Sequence, residues 1–272
     1  MSLGRSRLWV VVAFWVSFTA FIAGCALPPP PAAPGEMRDR VTDSDESETS
    51  KRARVRMELA TAYFGRGQFT TALDEVKQAL SLNPNMGEAY NLRGLIYAAL
   101  NDDALAQESF KRALQINPRD GDSLHNYGWY QCQQRRYKEA QQLFQQALAA
   151  PQYLQSARTM MTSGVCHALA GELPEAELAL SKSYERDPSN AATAVNLAAV
   201  LLRRGEAERA RFYIRRVNAV PEQANAQTLW LAARIEHKLG NRQSANDYGR
   251  ELRSRFPQSR EAAAFERGQF NE

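Results

Sequence analysis

The side chains best suited to nucleophilic or metal chemistry are few: Cys25, Cys132 and Cys166, with His125, His167 and His237. A thiol nucleophile needs a base within hydrogen-bond reach. Cys166 and His167 are adjacent, and on a helix neighbours at i and i+1 point in different directions. His125 lies two helical turns before Cys132, too far for a nucleophile–base pair. No CxxC, HExxH, glycine-rich phosphate loop or GxSxG occurs. Neither catalysis nor a metal or cofactor is expected, and the three histidines read as ordinary helix residues. Lys and Arg number 34 against 30 Asp and Glu, a formal charge of +4. The Arg-rich stretches 203–216 and 250–260 alternate with acids and apolar residues, so nucleic acid is not an expected partner. Nor is a small-molecule substrate.

The elements that carry these residues repeat. Alanines recur at Ala72, Ala106, Ala140, Ala176, Ala210 and Ala245, spaced 34, 34, 36, 34 and 35. Twelve residues before each stands another small residue: Ala60, Gly94, Gly128, Gly164, Ala198 and Ala233. Prolines close four units (Pro84, Pro118, Pro188, Pro257) and fall one residue early in the other two (Pro151, Pro221). This is the tetratricopeptide-repeat signature: small residues where two antiparallel helices cross, and a proline where the second helix must stop. Gly67, Gly171, Gly205 and Gly240 mark the turn inside four units, and Asn83, Asn117 and Asp187 suit the turn between units. The expected fold is all-α, a right-handed superhelical solenoid of six repeats at about 53–86, 87–120, 121–156, 157–190, 191–225 and 226–257. A capping helix follows within 258–272. The third unit carries two extra residues near Tyr153–Ser156, which can bend the solenoid locally.

A different chemistry stands ahead of the repeats. Arg5 and Arg7 precede an uncharged run from Leu8 to Ala23, too short to span a bilayer comfortably, so residues 1–24 read as a secretory signal peptide. Ile22-Ala23-Gly24-Cys25 resembles the bacterial lipobox, in which the thiol is acylated and the chain is cut before the Cys. Cys25 is therefore the expected lipidation site, a covalent lipid being the one attached group. An ordinary secretory signal with an incidental Cys is the alternative. Ala26, rather than Asp, favours the outer membrane by resemblance to enterobacterial lipoprotein sorting. Residues 25–52, with Pro28 to Pro31 and the run TDSDESETS at 42–50, read as a disordered tether.

Stacked repeats expose the first helix of each unit on their concave side. In the repeat family the fifth, ninth, twelfth and thirteenth positions of each unit face this groove. Here they include Met57, Phe64, Leu95, Trp129, Met161, Val165, Leu169, Val195, Leu202 and Trp230. The stripe suits an apolar strand or amphipathic helix of a partner protein; the alternative is packing between neighbouring helices. Trp129 and Trp230 are the leading anchors. The family's cationic groove for acidic chain termini is poorly matched, with only Arg203, Arg234 and Lys238 resembling it. Cys132 and Cys166, 34 residues apart on adjacent first helices, are candidates for a disulfide in an oxidising compartment; two small buried thiols are the alternative.

The third-unit run His125-Asn126-Tyr127-Gly128-Trp129 with Cys132, Arg136-Tyr137 and Glu139-Ala140 resembles the type IV pilus biogenesis/stability family, the pilotin lipoproteins of Gram-negative bacteria. So do Ala245, Tyr248-Gly249, Leu252, Phe256-Pro257 and Ser259 near the end. The resemblance implies a non-catalytic scaffold on the periplasmic face of the outer membrane, whose partner is the pilus secretin or another envelope protein. It implies help in bringing the secretin to the outer membrane and assembling its ring. Some members carry a disulfide between the third and fourth units, which fits Cys132 and Cys166. The long tether departs from the family. A lipid-anchored adaptor for cell-wall enzymes or outer-membrane protein assembly is the alternative function.

Overall fold

The computed structural model describes residues 47–270. The signal peptide, Cys25 and most of the tether lie outside the described residues. Among those described, all regular structure is helical. Unit one pairs α1 (Glu48–Gly65) with α2 (Phe69–Leu82), and unit two α3 (Gly87–Ala99) with α4 (Asp103–Ile116). Unit three pairs α5 (Gly121–Gln133) with α6 (Tyr137–Leu148), and unit four α7 (Ser156–Ala170) with α8 (Leu173–Arg186). Unit five pairs α9 (Ala191–Arg203) with α10 (Ala207–Asn218), unit six α11 (Ala226–Lys238) with α12 (Arg242–Arg255), and α13 (Arg260–Glu266) follows.

Two boundaries differ from the sequence expectation. The tether was to run to residue 52, but α1 begins at Glu48 because the Ser47 side chain caps it, accepting from the Ser50 N–H at 3.1 Å. Hydroxyl and acidic residues that look like tether composition are also what a helix N-terminus favours. The capping helix takes only seven of residues 258–272, Arg260–Glu266. Gly268 takes φ +68°, the chain leaves the helix, and Phe270 returns to α11.

Each helix pair is built on one contact repeated with complementary sizes. A Cβ at Gly94 would lie 2.8 Å from the Phe110 ring, one at Gly128 2.8 Å from Phe144, and one at Gly164 2.6 Å from Leu180. Where the small residue is alanine, as at Ala60 and Ala198, the residue sixteen positions on is a β-branched aliphatic, Val76 or Ile214, buried in the same cluster. The pairs keep filled volume, as a close-packed interior requires. At Gly249 of α12 the space is taken by Phe265 from α13, whose ring would collide with any added Cβ. The turns follow the sequence: Gly67, Gly171, Gly205 and Gly240 have φ between +73° and +84°, and Asn101 and Arg135 take the same conformation in units two and three. The side chains of Asn83, Asn117 and Asp187 each accept from the N–H two residues on.

The direction of curvature follows from which helices meet. The odd-numbered helices touch across the stack, α1 with α3 through to α11 with α13, whereas no two even-numbered helices do. The first helices therefore line the inner face. At the seam of units three and four, Cys132 and Cys166 form a disulfide with their Cα atoms 5.9 Å apart. Near the other end of that seam, the two-residue insertion of unit three packs against the starts of α5 and α7. Tyr153 lies against Gly121, and its hydroxyl is 2.7 Å from Thr159 Oγ1. Leu154, next along, is 90% exposed.

Candidate functional site

The inner face is the surface that the apolar stripe predicts, and its residues divide into three groups. Met57, Phe64 and Leu95 are half-buried and pack on the core of units one and two. Trp129 is also half-buried, against Cys132, Cys166 and Phe144. Met161, Val195 and Leu202 pack on the core of units four to six. These seven side chains contribute to inter-helix packing.

Val165, Leu169 and Leu202 border open cavities. One, of about 200 Å³, lies between α7 and α9 and is walled by Val165, Ala168, Leu169, Asn196, Ala199 and Arg203. The next, of about 380 Å³, lies between α9 and α11 and is walled by Ala199, Leu202, Arg203, Leu231, Arg234, His237, Lys238 and Phe270. Ala199 and Arg203 belong to both, so the cavities form one surface across units four to six. Leu169 is 57% exposed. That is a large apolar side chain offered to solvent at the cavity wall.

Trp230 corrects the sequence reading. It is not an open anchor, because the chain's own end covers it: Phe265 meets it edge-on at 6.3 Å and Phe270 lies 5.2 Å away. Phe270 also stacks on His237 at 4.0 Å with the rings 9° from parallel, and its carbonyl accepts from Arg234 Nε at 3.1 Å. Sequence reasoning missed this return. Its one signal was the pair of phenylalanines, Phe265 and Phe270, beyond Pro257. Arg203, Arg234 and Lys238, a poor match to the family's cationic groove by sequence, share one cavity wall. Arg203 is oriented by donating from Nη1 to the Ala168 carbonyl at 3.1 Å.

The histidines occupy three unlike settings. His125 is buried, its Nδ1 2.8 Å from Thr159 Oγ1, joining unit three to unit four. Burial, helped by the Arg158 charge, lowers its pKa to about 4, so it is neutral at ordinary pH. His167 meets Glu172 at 2.6 Å, and His237 carries Phe270. Tyr130, buried and donating to Asp103, has its pKa raised to about 12, by burial first and the carboxylate second. Among the described residues, no group of three His, Cys, Asp or Glu is arranged to hold a metal ion. No described helix is long and apolar enough to cross a membrane.

Family models for the tetratricopeptide repeat match residues 57–121 and 128–191, and a further one matches 109–142. Thirteen helices in the described residues extend the same pairing to Arg255. The chain carries tetratricopeptide repeats. It is homologous to the type IV pilus assembly protein PilF of Pseudomonas aeruginosa, being 26% identical over 77% of this chain and 83% of that protein. Among solved structures it is similar to PilW, a widely conserved type IV pilus biogenesis factor, with 29% identity and a TM-score of 0.74. That match covers 81% of this chain and 99% of PilW. The P. aeruginosa PilF structure shares the fold with a TM-score of 0.71, over 82% of this chain and all of that one.

Proposed function

We propose that this repeat protein is a non-catalytic scaffold for type IV pilus biogenesis. It assists the outer-membrane localisation and ring assembly of the pilus secretin through its inner face. The observation that supports this reading most is the span of the likeness to PilW. It takes in essentially the whole of that chain, at a sequence identity above that of the other repeat structures compared, so more than a shared repeat is being matched. The surface supports it too. Contiguous cavities across three units, floored by Val165, Leu169 and Leu202, suit an extended or helical segment of a protein partner.

In this reading Cys25 is lipidated and holds the chain on the periplasmic face of the outer membrane. Attached acyl chains supply roughly 0.8 kcal/mol of membrane affinity per buried CH₂. The inner face retains the secretin segment. The decisive test is the detergent-resistant secretin multimer in separated inner and outer membranes of a deletion strain. The multimer is expected to be lost from the outer membrane, restored by the wild-type gene and not by Cys25→Ala. An unchanged outer-membrane multimer in the deletion strain would remove the reading.

A further inference from the structure

The cations of the groove are placed, not repeated. Arg234 stands at the ninth position of unit six, and Arg203 and Lys238 at the thirteenth positions of units five and six. The same positions in units one to three hold Thr61, Leu95 and Trp129, and Gly65, Ala99 and Gln133. Repeat packing therefore does not demand charge there. It asks for nothing larger than glycine at one thirteenth position, and accepts tryptophan at one ninth. No carboxylate contributes to the walls of either cavity across units four to six. A cationic, apolar-floored cleft with no acid in its walls is complementary to a negatively charged ligand.

The chain's own tail indicates what else that ligand presents. Phe270 lies flat on His237 and against Trp230, while its backbone carbonyl takes the Arg234 N–H. An aromatic side chain on an aromatic shelf, with its main chain held by a guanidinium, is how a residue of a bound peptide is seated. The tail reaches it through the turn at Gly268, fastened by the Gln269 N–H donating to the Ala264 carbonyl. Beyond Phe270 the cleft continues past Lys238 and Arg203 to the apolar floor at Leu202 and Leu169.

We propose that the inner face of units four to six binds an acidic protein segment bearing an aromatic residue, and that Phe270 holds the aromatic's seat until that segment displaces it. This rests on the inner face being the protein's binding surface. It adds the chemical class of the ligand and a built-in competitor.

The test is fluorescence anisotropy with the full chain in detergent and two labelled twelve-residue peptides, one alternating Glu and Phe, the other Lys and Phe. The acidic peptide is expected to bind and the lysine peptide not. Arg203→Glu with Lys238→Glu should weaken the acidic peptide by about tenfold or more, at an unchanged melting temperature. Phe270→Ala should tighten it several-fold, because the binding-competent fraction rises. Equal binding of both peptides, indifference to the charge reversals, or weaker binding by Phe270→Ala would each overturn the proposal. So would phosphatidylglycerol vesicles that bind through Arg203 and Lys238 while the peptide does not, since the face would then be a lipid contact. If Leu169→Asp abolishes piliation while the acidic peptide fails to bind, the scaffold reading stands and the ligand class falls.

Discussion

Units one to three and units four to six are built on one backbone plan, yet their inner faces differ. In the first half, Phe64, Leu95 and Trp129 are drawn into the packing between helices, and no Lys or Arg occupies the ninth or thirteenth positions. In the second half, smaller residues such as Ala168 and Ala199 leave cavities, Leu169 stays exposed, and cations collect toward the end. Helix pairing constrains the crossing positions, where Gly94 meets Phe110 and Gly164 meets Leu180. It does not constrain the inward positions, which are left to vary. A solenoid can thus keep its fold while one half specialises in packing and the other in contact with a partner.

The two halves are joined at the seam of units three and four, and the largest predicted effects break it. Replacing Cys132 and Cys166 together by Ala removes a cross-link closing a 34-residue separation. It should lower unfolding free energy by roughly 3–4 kcal/mol in the chain-entropy model, read from denaturant titration. A thiol count with and without reductant checks the bond itself.

Acid should strain the same seam. His125 has a folded pKa of about 4, below its unfolded value of 6.5. Between those values the unfolded chain binds the proton and the folded one does not, so stability is complete above pH 6.5 and falls as pH drops toward 4. The full loss is about 3 kcal/mol. His125→Gln should flatten the stability profile in that window.

Next comes the packing of the second half. Gly164→Ala places a Cβ 2.6 Å from Leu180 and 3.1 Å from the Ala176 carbonyl, where backbone as well as side chain must give. A destabilisation of about 1–3 kcal/mol is expected. The converse, Ala198→Gly, removes a methyl that fits beside Ile214 and should cost about 1 kcal/mol. Thermal or denaturant unfolding ranks the pair; a larger loss at Ala198 would show that the size complementarity is misread. The smallest effect belongs to Leu169→Asp. This exposed change should shift stability by no more than about 0.5 kcal/mol, while reducing partner binding. That separation of folding from function is what distinguishes the contact half from the packing half.

Much of this architecture was legible because it rests on steric necessity. The alanine period, the glycines of positive φ and the prolines each answer a local constraint that only a few residue types satisfy. The start of α1 was less legible, since Ser47 and Glu48 serve a helix cap and a polar linker equally well. Trp230 was misread because its cover arrives from beyond the repeat. Nothing in the period announces that Phe265 and Phe270 fold back over α11. The division of the inner face was hidden for the same reason, as half-burial depends on which neighbour fills the space. Phe110 and Phe144, opposite the glycines, could have been found by reading sixteen residues on from each small position.

The central claim is that the inner face of the second half holds the pilus partner. It is tested most directly by placing a photo-crosslinking residue at Leu169 and, separately, at Phe212, which is 55% exposed on α10 among the outer helices. The experiment is run in piliated cells expressing the full chain. The account predicts a secretin adduct from position 169 and none from position 212. A secretin adduct from position 212 alone, or none from either, would contradict it.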